Sequence, residues 1–318
     1  MKKEILYIVV PCYNEEAVLE ETTKQLKKKM EYLVKNGLIS DESRVMYVND
    51  GSNDKTWKLI EDISNKEKYF TGLSLSRNRG HQNALLAGLM TAKEYADIII
   101  SMDADLQDDI NAIDEMLKKY YDGSEIVYGV RSARKKDTWF KRTTAESFYK
   151  FMSMMGVDIV FNHADYRLTS KNVLEHLEEF NEVNLFLRGI FPLIGYKTAI
   201  VYYERNERFA GVSKYPLKKM LNFAWDGITS FSVKPIRFIL SFGIVFTILS
   251  FISLIVFIIL NLVKLKTLSI GTLISLICFL SGLQTIFIGI IGEYIGKTYN
   301  ETKRRPRFII SKNLNEDK

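Results

Sequence analysis

Two stretches of this 318-residue chain carry no charge: Phe238–Leu260, 23 residues, and Leu268–Gly292, 25 residues. A helix of either length reaches about 35 Å, enough to cross the hydrocarbon core of a bilayer. Two such runs in tandem are rare in soluble folds, so the pair predicts a transmembrane hairpin. Lys234 and Arg237 precede the first run, and Lys297, Lys303, Arg304, Arg305 and Arg307 follow the second. Only Lys264 and Lys266 lie between them. The positive-inside rule then places both flanks in the cytoplasm. The net charge of +6 divides in the same way. Residues 1–233 hold 33 basic and 34 acidic side chains, which is −1, and the remaining +7 belongs to the membrane part and the tail. Charge gathered beside the spans fits anionic lipid and argues against a nucleic-acid partner. The expected location is the cytoplasmic membrane, multi-pass, with the N-terminal domain and both termini in the cytoplasm.

The N-terminal apolar run ends at Pro11 and is too short for a signal peptide, so it reads as a first strand. Cys12 and Cys278 fall in different compartments, which predicts no disulfide. Residues 1–100 alternate strand and helix. Strands are expected at Ile5–Val10, Arg44–Val48, Phe70–Leu75 and Ile98–Met102, and helices at Ala17–Lys35, Asp54–Ser64 and Gln82–Tyr95. This alternation predicts an α/β fold with a parallel sheet covered by helices. Ligands of such sheets bind outside the carboxyl ends of the strands. Each expected strand is followed by a polar cluster: PCYNEE, NDGSND, SRNRGHQN and DADLQDD. One solvated loop explains any of these singly; four at one sheet edge predict a site.

Asp103 and Asp105 are two apart at the end of an apolar strand, and continued strand geometry would point both to one side. Paired carboxylates repel, and a hard divalent cation, Mg²⁺ or Mn²⁺, is their natural partner. Asp108 and Asp109 read differently, as acids favouring the N-terminus of the next helix. Asp50 follows a strand and precedes a glycine turn, where a carboxylate can accept hydrogen bonds from a base or ribose; Ser52, Asn53 or Asp54 would cap the helix after it. In RFAGVSKYP, Arg208, Ser213 and Lys214 place two cations and a hydroxyl around Gly211, a set fit to hold phosphate oxygens. Leu217, Met220, Leu221, Ala224, Trp225 and Ile228 then recur at helical spacing, an amphipathic helix suited to the headgroup layer.

VPCYNEE, VNDGSNDKT, SRNRGHQNAL, DADLQDD and RFAGVSKYP, in this order and followed by two apolar runs, resemble the family 2 glycosyltransferases of the polyprenyl-phosphate type. Dolichyl-phosphate mannose synthases and bactoprenol glucosyltransferases belong to that group. The resemblance covers essentially the whole chain. It implies a GT-A type, Rossmann-like nucleotide-sugar transferase domain over residues 1–215. An interfacial helix over 216–235, two transmembrane helices over 236–292 and a basic cytoplasmic tail over 293–318 complete the expected organisation. The implied reaction is an inverting, metal-dependent transfer from a nucleotide-diphosphate sugar, with UDP-glucose the expected donor, to undecaprenyl phosphate. A homotetramer is implied as well.

Carried over by position, Pro11, Tyr13 and Glu15 resemble the nucleoside-binding opening, with Asp50 at the base. Asp103 and Asp105 resemble the Asp-x-Asp pair, Asp105 as the more direct metal ligand, and Gln107 follows in the same loop. ADYRLTS resembles the family's Asp-aromatic-Arg segment, which sets Asp165 and Arg167 near the acceptor. Arg131 and Arg208 are expected at the reacting groups, and Arg167, Arg205, Ser213 and Lys214 at the acceptor phosphate. Asn49 stands where many relatives have aspartate, and Asp109 where proline is common. Asp165 is open to two roles. A phosphate monoester is largely dianionic at neutral pH and needs little deprotonation, so Asp165 either serves as general base or orients Arg167 or a sugar hydroxyl. Two other functions stand beside this one: a processive polysaccharide synthase, which would need more spans and a Gln-x-x-Arg-Trp motif, and a lipid-flipping or channel protein, which would need charge inside its spans.

Overall fold

The computed structural model describes residues 3–132, 154, 163–183, 185–206, 228–229, 232–262 and 270–315. The four apolar runs form strands β1 (Leu6–Cys12), β2 (Arg44–Asn49), β3 (Phe70–Leu75) and β4 (Ile98–Ser101). Helices α1 (Leu19–Lys35), α2 (Thr56–Lys66), α3 (His81–Ala92) and α4 (Ala112–Tyr121) follow them in turn. Pro11 does not end β1 as expected: it lies opposite Val48 and the strand continues to Cys12. Pairing with β4 has stopped at Val9, so Pro11 occupies a locally one-sided stretch where a missing N–H costs no ladder bond on that side.

The less regular second half supplies β5 (Ile126–Arg131), β6 (His163–Ser170), α5 (Lys171–Glu178), α6 (Leu187–Ile194) and β7 (Thr198–Tyr203). Two long helices, α7 (Lys234–Leu262) and α8 (Ile270–Thr302), precede a last strand, β8 (Ile310–Asn313). The eight strands form one sheet in the order β7-β5-β6-β4-β1-β2-β3-β8. β1 pairs in parallel with β2 and β4, and β2 with β3. β6 and β8 run antiparallel to their neighbours.

Both faces of the sheet are covered. Leu6, Ile8 and Val10 of β1 pack with Leu26, Met30 and Leu33 of α1 and Ile113 and Met116 of α4. Tyr7 and Val9 point the other way, into a cluster with Leu85, Leu86 and Leu89 of α3 and Ile190 and Phe191 of α6. The period of two along β1 therefore feeds two apolar layers, which is why its sequence is a continuous apolar run.

Residues 293–318, expected as a basic tail, instead carry the end of α8 and then rejoin the sheet. β8 lies antiparallel on β3, with Leu75 opposite Ile310 and Leu73 opposite Asn313. Among the described residues one segment, Phe279–Thr302, is long and apolar enough to cross a membrane. α7 spans 29 residues, about 44 Å at 1.5 Å per residue. Phe238 on α7 and Ile288 on α8 are 68 % and 69 % exposed within this chain. Most of the expected interfacial helix lies outside the described residues, with Arg208, Ser213 and Lys214.

Candidate active site

Strand direction gathers the site. The carboxyl ends of β1–β5 and β7 and the amino end of β6 share one sheet edge. Ser101 lies opposite Arg167 across β4 and β6. Continued by two residues, that register brings Asp103 beside Asp165. Ser101 Oγ donates to the Asp165 carbonyl at 2.5 Å and fastens the two chain ends together.

Asp103 and Asp105 sit past the strand in a turn, since β4 stops at Ser101. The turn is held by other means. The Thr22 hydroxyl of α1 donates to the Ala104 carbonyl at 2.8 Å, between the two acids. Leu106 takes a φ of +58°, a left-handed backbone rare for a branched residue, and the Gln107 N–H donates to Asp105 Oδ1 at 3.2 Å. Asp103 is partly exposed (35 %). Burial raises its carboxyl pKa; the charge of His81 counters this in part, and Asp108, Asp165 and Asp105 raise it further, to about 6. The turn thus holds more negative charge than its own surroundings compensate. Two partly open, oxygen-bearing side chains with excess negative charge fit a hard divalent cation. Among the described residues no three His, Cys, Asp or Glu side chains are placed to hold a metal together. A cation here would draw its remaining ligands from substrate phosphate and water.

Asp165 is the hub of a cluster that the sequence reading only partly anticipated. Arg188 on α6 donates to both of its oxygens at 3.1 Å. Arg167 donates to Oδ1 at 3.2 Å, and His81 Nε2 lies 3.3 Å from Oδ2 and 3.8 Å from Asp103 Oδ1. Burial alone would raise the Asp165 pKa, but the charge of Arg188 and the hydrogen bond and charge of His81 hold it well below the usual carboxylate range. Burial likewise works against a charged His81, yet its hydrogen bond to Asp165 and the charges of Asp103 and Asp165 lift its pKa to about 9. A carboxylate so stabilised is a weak base.

Arg167, expected at the acceptor phosphate, is instead buried, 1 % exposed, with its guanidinium 4.0 Å above the Phe191 ring. Its Nε and Nη1 have no hydrogen-bond partner, and burial lowers its pKa to about 10. Arg167 therefore braces Asp165 from below, and Arg188 meets it from the site. Asp50, expected at the nucleotide base, is 3 % exposed, and its oxygens accept the N–H groups of Arg79 at 2.7 Å and Gly80 at 2.9 Å. It fixes the loop that starts α3 and carries His81. Asp108, expected to favour a helix start, is buried and accepts from Arg131 Nη2 at 3.2 Å and from the Tyr203 hydroxyl at 2.5 Å. Asp109 does serve the chain after it, taking the Asn111 N–H at 2.9 Å.

The other expected residues line the same edge. Tyr13 is 38 % exposed and Pro11 half-buried. The Glu15 N–H donates to Thr56 Oγ1 at 2.9 Å and the Asn14 N–H to Ser52 Oγ at 3.0 Å, so the β1 and β2 loops are stitched together. Of the residues expected to cap α2, Asp54 bonds its first residue, Oδ1 taking the Thr56 N–H, while Lys55 stands at the N-cap position without a side-chain cap. Arg205 Nη2 donates to Gln107 Oε1, which ties the end of β7 to the Asp103 turn. Gly51, at a φ of +62°, lets the β3 loop pass: a Cβ there would sit 2.5 Å from the Arg77 carbonyl carbon and the Asn78 nitrogen. Gly51→Ala is expected to cost about 2–3 kcal/mol through left-handed strain and overlap, seen as a lower thermal midpoint; an unchanged midpoint would refute the close approach.

His81, Gln82, Arg188, Thr22 and Tyr203 were not singled out from the sequence. His81 and Gln82 lie in the SRNRGHQN cluster, so their location was legible and their role was not. Arg188 carries one weak signal, a lone cation inside the apolar run LFLRGIFPLI.

The profile of glycosyl transferase family 2 matches residues 7–178, from β1 through α5. The chain is 53 % identical over 310 residues to the uncharacterized glycosyltransferase YkoT of Bacillus subtilis (strain 168), covering 98 % of this chain and 92 % of that one. It is 39 % identical over 308 residues to the prophage bactoprenol glucosyl transferase homolog of Escherichia coli, covering 96 % and 98 %. Identity to the bactoprenol glucosyl transferase of Shigella phage SfII is 38 % over 313 residues, covering 96 % and 97 %. With an Asp-x-Asp turn at the carboxyl edge of its sheet and relatives matched over nearly their whole length, the chain is a glycosyltransferase of family 2, of the bactoprenol glucosyl transferase type.

Proposed function

We propose that this enzyme transfers glucose from UDP-glucose to undecaprenyl phosphate at the cytoplasmic face of the membrane, on a GT-A type domain, with inversion. The full-length likeness to bactoprenol glucosyl transferases carries the choice of lipid and sugar. Asp103 and Asp105 would hold Mg²⁺ or Mn²⁺, which when bound offsets negative charge on the leaving diphosphate. Around them Tyr13, Glu15 and the β2 loop shape the nucleotide end. Arg205, joined to Gln107, and the RFAGVSKYP segment supply cations for the incoming phosphate. Asp165 orients its neighbours; the nucleophile arrives already ionised. Holding both reactants in line supplies much of the rate gain.

The sheet supports a two-span anchor. β8 lies in the same sheet as β1, so these two strands lie on one side of any membrane that α8 crosses. An even number of crossings is then required between β7 and β8, and α7 is long enough to supply the second. The basic flanks place that side in the cytoplasm.

The test is UDP release by protein in nanodiscs supplied with UDP-glucose, metal and undecaprenyl phosphate. Release is expected only when the lipid phosphate is present. The Asp103→Ala, Asp105→Ala double variant is expected to lose about 10³-fold or more. Because the Asp103 carboxyl sits at about 6 and must ionise to bind a cation, Mn²⁺ affinity is expected to fall as the pH drops through 6. Undiminished turnover in the double variant, or release without lipid phosphate, would overturn the reading.

A further inference from the structure

The Asp165 cluster holds two arginines, and they face different surroundings. Arg167 is 1 % exposed, packed on Phe191 beneath the carboxylate. Arg188 approaches the same carboxylate with a side chain 29 % exposed. It is gripped by both Asp165 oxygens, which fixes the plane of its guanidinium. Its helix is set in turn by the Leu187 N–H donating to Gln82 Oε1 at 3.1 Å, one residue from His81. His81, 38 % exposed, meets the same Asp165 carboxylate at Oδ2 and lies between it and Asp103 Oδ1, 3.8 Å away. The cluster therefore presents its cationic face to the site through Arg188 and His81, with Asp165 and Arg167 behind.

We propose that Arg188 is the arginine of this cluster that contacts a substrate phosphate, with Asp165 holding its guanidinium in the plane needed to receive it. The ligand chemistry is a phosphate oxyanion. It belongs either to the lipid phosphate or to the donor diphosphate, and both would enter at this edge under the function proposed above. A carboxylate-braced guanidinium suits the task, since a planar fork already oriented loses little entropy on meeting a second oxyanion.

The experiment measures binding directly, in full-length protein in nanodiscs, so that it does not depend on turnover. Titration calorimetry follows UDP with Mn²⁺ in one arm and a short-chain polyprenyl phosphate in the other, for wild type, Arg188→Lys and Arg188→Ala. Arg188→Ala is expected to weaken one of the two ligands by about tenfold to hundredfold, the loss of a charge-assisted pair. Arg188→Lys, which keeps the charge without the fork, is expected to fall between. A shift confined to the lipid arm assigns the acceptor phosphate, and one confined to the UDP arm assigns the donor diphosphate. Both affinities within twofold of wild type in both variants would overturn the proposal. So would equal losses in both arms from Arg188→Ala with a lowered melting point, since that pattern marks a structural brace. If wild type binds both ligands yet makes no product, the proposed reaction fails and the assignment of Arg188 is still decided.

Discussion

Asp165→Ala is expected to destabilise the folded protein by about 3–5 kcal/mol, the cost of leaving a buried ion cluster without its anion. Arg167 would keep its charge at 1 % exposure with Phe191 as its remaining close partner among those described, and Arg188 and His81 would lose the oxygens that orient them. In a chain of this size the thermal midpoint should drop by roughly 6–15 °C. Because the native carboxyl pKa lies below its unfolded value, the stabilising contribution is complete above about pH 4 and is lost only as the pH falls through the depressed value. The carboxylate's own share of the difference between wild type and variant should therefore hold above pH 4 and shrink in acid, while the share carried by His81, whose pKa Asp165 helps lift to about 9, is full below the ordinary histidine value and is lost as the pH rises through 9. Asp165→Asn separates the two catalytic roles. It keeps the shape and one oxygen for Arg188, so an orienting role predicts a loss of about tenfold with an unchanged pH profile. A loss of about 10³–10⁴-fold across neutral pH would make Asp165 the general base. A melting point within 2 °C of wild type for the alanine variant would refute the buried-cluster account.

What could be read from the chain followed from local pattern. β1 to β4 are apolar runs separated by helices, and parallel topology makes their ends coincide, so the four polar clusters could be assigned to one edge without coordinates. The Asp103 and Asp105 pair was legible for the same reason. The pairing of β6 with β4 was not. HADYRLTS reads as a polar motif, and its strand character comes from Arg167 and Thr169 being covered after the chain returns from more than sixty residues away. That return also decides which arginine is buried. Asp50 is expected at the nucleotide base and Asp108 at a helix start, and local pattern gives no sign of their actual partners, the Arg79 and Gly80 amides and the Arg131 and Tyr203 side chains, which tertiary contact brings to them. The basic end of the chain misled in the same manner, since charge dominated its composition while four residues within it carry a ladder.

Removing residues 308–318 tests that last strand and is expected to cost about 5 kcal/mol. The Ser76 N–H loses the Ile309 carbonyl, and the Gly72 and Ser74 carbonyls lose the Leu314 N–H and the Ser311 hydroxyl, at roughly 1 kcal/mol each. Phe308 and Leu314, each packed against one of the two apolar layers, add about 1–2 kcal/mol apiece because they are only partly buried. The Lys312–Glu61 pair is exposed and contributes little. The damage should not stop at stability. β3 runs straight into the loop whose Arg79 and Gly80 amides hold Asp50 and whose end starts α3 at His81. A frayed β3 would loosen that loop, and UDP affinity should fall together with the melting point. The bared edge would also offer unpaired backbone to other chains, so the truncated protein should aggregate on concentration. Hydrogen exchange is the sharpest measurement: amides of β3 and the following loop should lose protection while those of β5 and β7, at the other side of the sheet, keep theirs. Unchanged exchange in β3 would mean that β8 adds nothing to the fold, and with it would go the argument that the sheet itself holds β1 and β8 on one side of the membrane.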